Sequence, residues 1–285
     1  MANRSGSAST SRPAEVLVRR FRPVAGQDGA ERSEQVTVLT VPAGAAHFLK
    51  QHAAERICVL LEGRADLSIG PAGAAGGQNA TNIGRGAVIH SRSGHAFTVT
   101  NTADSAIQFL VLAAADPSGT AALDSAKTDP ATDAAQVECF SLFDVADEVL
   151  HRPEAGFFHM GTRMLLNASH SYQSFIFGQS SFAPENGIHA LHRHAGADEM
   201  FYVWDGEGSH LNADGTEHPM RPGDAVFVPR GEWHGFRNTG VRPVRAFFGL
   251  IGAGDMQRAG NEVLDNGETG SLTASPTITL NETLV

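Results

Sequence analysis

The chain has 285 residues, of which 41% are hydrophobic, with a formal net charge of −10 and a pI near 5.7. That length allows one large domain or two ordinary ones, each with a substantial core. The acidic balance, with no Lys/Arg cluster to offset it, repels phosphate backbones and argues against nucleic acid as a partner. No run approaches the roughly 20 apolar residues that a membrane helix needs.

Residues 1–14 are rich in Ser, Arg, Pro and Ala and read as a disordered tail. They lack the apolar segment of a secretory signal, so a cytoplasmic location is expected. From Val36 the pattern becomes short apolar runs between Gly-rich turns: "VTVLTV", "RICVLLEG", "GAVIHS", "AFTVTN" and "IQFLVLAA". Their length and their β-branched and aromatic content favour strands. A first β-unit is therefore expected over residues 15–115. Residues 116–136 are polar, small and Pro-containing, a linker composition.

A second unit is expected over residues 137–254. It opens with "SLFDVADEVLHRP", which has a capping Ser141, apolar residues at helical spacing and Pro153 beyond the end, and so predicts a helix. Strands resume at "QSFIFGQSSF", "MFYVWDG", "DAVFVPRG", "HGFRN" and "RAFFGLIG". The Asp-Gly pair in "LNADGTEH" signals a hairpin turn, and the flanking His210 and His218 are expected to be solvated. Residues 255–285 read as a loosely held tail in which "TITL" could add an edge strand. Cys58 and Cys139, the only two cysteines, lie far apart in apolar contexts, as buried thiols do.

The halves resemble each other. "ERICVLLEG" (55–63) parallels "DEMFYVWDG" (198–206), and "SGHAFTVTNTADSAIQFLVL" parallels "EWHGFRNTGVRPVRAFFGLI". A repeat of this length means a duplicated all-β unit.

"GIHALHRHAGADEMFYVWDGEG" (187–208) carries the chemistry. Side chains at i and i+2 of a strand face the same way, so His192 and His194 point together. Glu199 shares a face with Phe201 and Val203 and looks into the core, while Arg193 points the opposite way. A buried carboxylate beside two imidazoles needs a cation, and a divalent metal supplies one. His234 in "PRGEWHGFRN" is the expected fourth ligand. His189 has the wrong parity and is expected in a loop, as a second-layer or substrate contact. Trp233 faces away.

These residues give the chain its resemblance to the cupin family. The first motif is carried by Gly187 (one residue closer than usual), His192, His194, Glu199 and Gly206. The second is carried by Gly223, Pro229, Gly231, His234 and Asn238. The resemblance implies an all-β bicupin: two tandem jelly-roll barrels with few short helices. It also implies one divalent first-row metal held by three His and one Glu, with iron the leading expectation and Mn, Ni, Co or Zn compatible. The first repeat departs from the pattern. In sequence register Leu49 and Gln51 take the two histidine positions and Arg56 the Glu199 position, while His95 retains a ligand type. That barrel is expected to be metal-free, and a shifted site from His47, His52 and His95 lacks a carboxylate in phase.

Twelve of the sixteen Phe and both Trp lie in the second half. Phe201, Phe236 and Phe248 are the expected lining of an apolar substrate pocket beside the metal. The resemblance implies a metal-dependent dioxygenase for a small aromatic or enolisable substrate, such as a flavonol, catechol or polyketide, with Glu199 doubling as general base. A metal-dependent isomerase or cyclase that works without oxygen, and a non-enzymatic metal-bearing sensor, are the alternatives. A homodimer, with "AEVLVRRF" as an exchanged strand, is a further expectation.

Overall fold

The computed structural model describes residues 16–22, 35–50, 55–69, 79–92, 94–114, 137–167, 175–264, 278–279 and 281–284. The expected N-terminal tail and the 116–136 linker lie outside these residues. The described chain is almost entirely strand, and every strand pair in it is antiparallel. No described helix is long and apolar enough to cross a membrane.

The first barrel is built from β1 (Leu17–Arg22), β2 (Gln35–Val41), β3 (Ala46–Leu49), β4 (Glu55–Glu62), β5 (Arg64–Ile69), β6 (Asn79–Gly84), β7 (Ala87–Ser91), β8 (Phe97–Asn101) and β9 (Ile107–Ala114). A four-stranded sheet, β3-β8-β5-β6, faces a seven-stranded sheet. Leu49, Leu67, Phe97 and Val99 from the smaller sheet pack on Leu39, Cys58, Leu60 and Ile89 from the larger one. The larger sheet runs β10-β7-β4-β9-β2-β1-β23, where β10 is Val137–Ser141 and β23 is Asn281–Leu284. One expectation changes here. Residues 137–141 were assigned to the second unit but pair with β7, because Val137 is buried in the first core. The "AEVLVRRF" strand, β1, lies between β2 and β23 of its own chain.

The second barrel comprises β11 (Glu148–Arg152), β12 (Phe157–Leu166), β13 (Phe175–Phe182), β14 (Ile188–Arg193), β15 (Asp198–Asp205), β16 (Gly208–Asn212), β17 (Glu217–Met220), β18 (Ala225–Val228), β19 (His234–Asn238) and β20 (Val244–Ile251). These form one sheet ordered β17-β16-β19-β14-β12-β13-β20-β15-β18, with β11 on the side of β12. Beyond β20 come helix α1 (Met256–Ala259), β21 (Glu262–Val263), which pairs with β14, and β22 (Ile278–Thr279), which pairs with β18. The segment expected as a loose tail thus begins with ten residues folded against the barrel, and "TITL" supplies an edge strand.

The helix expected after Ser141 does not form. The Ser141 hydroxyl does accept from the Phe143 backbone N–H, but it caps only a 3-10 turn over Leu142–Asp144. β11 follows, with Leu150 buried between exposed neighbours on a strand that pairs with β12. Tertiary pairing overrides weak helical spacing here.

The fully apolar runs in β4 and β15 have a simple cause: both strands are buried on both faces. Cys58 and Leu60 look into the first barrel, while Ile57, Val59 and Leu61 look out of it. Phe201 and Val203 look into the second barrel, while Met200, Tyr202 and Trp204 look out. The outward sets meet in one continuous core with Phe175, Phe177, Phe227 and Phe247. Each fully buried side chain of this kind contributes roughly 1.5–3 kcal/mol. At its edge the Trp204 indole N–H donates to the Leu61 carbonyl at 3.3 Å, and the Arg85 guanidinium lies over the Trp204 ring.

Candidate metal centre

Cross-strand register builds the site row by row. On neighbouring strands β14, β19 and β16, His192 pairs with His234 and His234 with Asn212, so these three form one row on the inner face. Two positions along β19 lies a second row, His189, Phe236 and His210. On the opposite wall Glu199 stands between Leu250 and Val228, and Phe201 stands between Phe248 and Val226. Glu199 and Phe201 therefore share one face of β15.

His192, His194, Glu199 and His234 converge, with one ligand atom from each lying within 4.8 Å of the others, and all four are buried. The Nε2 atoms of His234, His194 and His192 stand 2.7, 3.3 and 3.8 Å from Glu199 Oε2. Each Nδ1 is committed elsewhere. His192 donates to the Ala190 carbonyl at 2.9 Å, His194 to Gly260 at 2.5 Å, and His234 to Glu232 at 2.9 Å. A carbonyl only accepts, so all three Nδ1 atoms carry hydrogen, and the neutral imidazoles turn bare Nε2 lone pairs toward the carboxylate. Four acceptors facing one point in a dry interior repel unless a cation sits among them. The donor set fits a divalent metal bound through imidazole nitrogens and one carboxylate, with backbone carbonyls orienting the rings.

Burial opposes ionisation of Glu199, but the surrounding imidazoles, His234 foremost, hold the carboxyl well below the usual range. Burial, with the His234 charge adding to it, pushes His192 down to about 4. For His194 burial lowers the pKa, yet the pull of Glu199 and the Gly260 carbonyl leaves it raised.

The loops that carry the ligands are clasped together. The Gly231 N–H donates to the His194 carbonyl at 2.8 Å. Buried Asp198, next to Glu199, accepts from the Arg230 backbone N–H at 2.8 Å and pairs with its guanidinium at 3.1 Å. Asn238 closes the second motif by donating to the Phe182, Ala183 and Arg242 carbonyls.

Above the cluster opens a cavity of about 310 Å³. Phe201, Phe236 and Phe248 line it, joined by Leu150, Met160 and Phe182. Two glycines make room for the rings: a Cβ on Gly178 would overlap Phe248, and one on Gly208 would overlap Phe236. Arg152, at the exposed rim, is the one Lys or Arg among the lining residues.

Two histidines are not where the sequence puts them. His189 lies on β14, not in a loop. A register shift between His189 and His192 turns it inward, stacked on His192 at 3.6 Å and on Phe157 at 4.5 Å. Burial holds its pKa well below the ordinary value. His210, expected in solvent, is 3% exposed and lines the cavity. Burial, then the His234 charge, pushes it down to about 3. Proximity to the Asp-Gly turn hid a simple signal: His210 is in phase with Gly208 and Asn212 on a strand paired on both sides. His218 is exposed as expected, and the Trp233 ring lies against the Arg193 guanidinium.

In the first barrel, strand pairing amends the sequence register. Arg56 matches Glu199, since each precedes by two the residue pairing with Val111 or Phe248. Leu49, however, pairs with Phe97 as His189 pairs with Phe236, so it is the counterpart of His189, not His192. Gln51 and His52 lie outside the described residues. Arg56 is buried, donates to the His95 carbonyl at 2.6 Å and lies over Phe97. His47, on β3, pairs with Val99.

Tandem barrels, one enclosing a three-histidine, one-glutamate cluster, define a metal-binding protein of the cupin type. Residues 179–249, which lie in the second barrel, match the Cupin domain family, Cupin_2. The chain is 34% identical over 65 residues to the oxalate-binding protein of Thermotoga maritima, an alignment spanning 23% of this chain and 52% of that protein. Its fold is similar to that of the Lactobacillus farciminis oxalate decarboxylase in its formate complex, with a TM-score of 0.59, 15% identity, and coverage of 85% of this chain and 83% of that one. The Bacillus subtilis oxalate decarboxylase, a protein with Mn(II) centres, gives 0.59 at 13% identity, with coverage of 87% and 74%. The putative glyoxylate-induced protein of Pseudomonas aeruginosa gives 0.63 at 14% identity, with coverage of 84% and 82%.

Proposed function

We propose that the chain is a metal-dependent dioxygenase for a small aromatic or enolisable substrate that chelates the metal through oxygen. One observation carries this reading: the cavity over the ligand cluster is walled largely by Phe, Met and Leu side chains, with the ligand cluster, His189 and His210 among its polar groups. Such walls favour a flat apolar body with its oxygens pointed at the floor. A bound iron or manganese would supply Lewis acidity toward those oxygens and electron transfer to dioxygen, the co-substrate whose atoms enter the product. Phe201, Phe236 and Phe248 would exclude water and hold the substrate plane. Glu199 Oε would accept the proton of the chelating hydroxyl, as a general base within hydrogen-bond reach. His192, His194 and His234 would stay neutral donors of nitrogen lone pairs, held by their carbonyl partners.

The test joins metal content and oxygen uptake. Mass spectrometry of untagged protein is expected to find about one metal per chain, lost in His234→Ala. Oxygen consumption is expected with at least one of a flavonol, catechol and 1,3-diketone panel. Silence across the panel with metal in place would overturn the dioxygenase reading, and turnover unchanged under strict anaerobiosis would assign an isomerase or cyclase.

A second reading is chemistry on oxalate or a related small dicarboxylate, favoured by the 65-residue identity to an oxalate-binding protein. The cavity speaks against it, because Arg152 at the rim is the one Lys or Arg side chain lining it for a dianion. Oxalate binding or loss of CO2 from oxalate would reverse that order.

A further inference from the structure

Both ring nitrogens of His210 are buried without a hydrogen-bond partner, although the residue is only 3% exposed and lines the cavity. Whatever its tautomer, a neutral imidazole presents one N–H and one lone pair. Leaving both unmet in a dry interior is unfavourable, and native proteins seldom tolerate it without a functional reason. The two obvious explanations fail. His210 is outside the ligand group, with its ring centroid 6.2 Å from that of His234 and nearly parallel to it. Nor is it a core residue satisfied by the backbone, since neither ring nitrogen has a partner, and its neighbours in the row are Phe236 and His218.

We propose that His210 is a specificity-determining residue that receives the far end of the substrate. This rests on the chelation reading above and narrows its substrate class. The row on which His210 sits runs His189, Phe236, His210 across three adjacent strands, next to the row of His192, His234 and Asn212. A ring lying over Phe236 with its chelating oxygens at the ligand row therefore extends its opposite edge toward the His210 row. The substrate is accordingly a bifunctional molecule: a chelating enol or catechol at one end and, a ring-width away, a neutral hydroxyl or carbonyl. A hydroxyl can meet either nitrogen function of His210, donating to the lone pair or accepting from the N–H, and a carbonyl can meet the N–H. A purely hydrocarbon end would leave both unmet.

Calorimetry on metal-loaded protein tests this with two probes, catechol and 3,4-dihydroxybenzaldehyde, which adds a carbonyl across the ring. Wild type is expected to bind the aldehyde about tenfold more tightly, the worth of one hydrogen bond. His210→Leu is expected to bring that ratio to about one, and His210→Gln to restore part of it. Melting of the ligand-free protein supplies a readout independent of any probe. Since His210 has no partner to lose, His210→Leu is expected to melt no lower than wild type. No preference in wild type, or the same preference in His210→Leu, overturns the role of His210 alone. A lower melting temperature, or loss of metal from His210→Leu, overturns it too, by making the residue structural or a ligand. Failure of catechol to bind the metal-loaded wild type overturns the chelation reading and this inference with it.

Discussion

The carbonyl of Gly260 accepts a hydrogen bond from Nδ1 of His194 at 2.5 Å, so a residue beyond the last long strand fixes the tautomer of a ligand histidine. The segment is itself well held. Asp255 caps α1 through the Arg258 N–H, Ala259 is buried, and its carbonyl accepts from the Gly196 N–H at 2.9 Å. Partners of this kind typically change metal affinity by 10–100-fold. Truncation after Gly254 is expected to weaken metal binding by about that factor, and Asp255→Ala by less. Competition with a chromophoric chelator measures both, and unchanged affinity in the truncated chain would remove the segment from the site.

Asp198 and Arg230 clasp the two motif loops unequally. Asp198 is buried while the guanidinium is half exposed, so the backbone N–H bond and the buried acceptor matter most. Asp198→Ala is expected to cost about 1–3 kcal/mol. Arg230→Ala is expected to cost less than about 1 kcal/mol, as exposed pairs do. Urea denaturation of the two variants decides this, and equal losses would mean the ion pair carries the effect.

Arg56 occupies the position of Glu199 in the first barrel, but among the described residues no ligand set surrounds it. Arg56→Glu is therefore expected to leave metal content at about one per chain. It is also expected to lower stability, because a buried carboxylate would face the His95 carbonyl that Arg56 now satisfies. Two metals per chain in that variant would revive a site in the first barrel.

The thiols supply a pH prediction. Burial pushes Cys58 up to about 12, opposed by the Arg56 charge, and burial pushes Cys139 up to about 11. A raised thiol stays protonated, so the stability it favours is whole below pH 9 and is lost as pH rises toward 11–12. At pH 8 neither thiol is expected to react with Ellman's reagent before unfolding, since the thiolate is the nucleophile. Prompt reaction of the native protein would contradict this packing.

The sequence was most legible where a period of two meets burial on a known face. His192, Glu199, Phe201 and Phe236 all point where alternation puts them. It was least legible where the backbone breaks that alternation or where distant segments pair. The bulge that brings His189 inward has no local sign, since register shifts depend on the partner strand. Leu150 looked helical because its neighbours permit a helix, and only β12 decides otherwise. The Gly260 carbonyl was invisible to motif reading, because a backbone acceptor leaves no residue type to recognise.

The two-faced burial of β15 has a consequence for dissecting the molecule. Met200, Tyr202 and Trp204, with Phe177 and Phe247, complete the ligand-bearing barrel only because the neighbouring copy covers them. Excised on its own, that barrel would carry its metal ligands on one side of a strand and a bare greasy plate on the other. Such a plate seeks partners, so the ligand-bearing half would aggregate on its own, and the half that carries Arg56 in place of an acid serves as its cover.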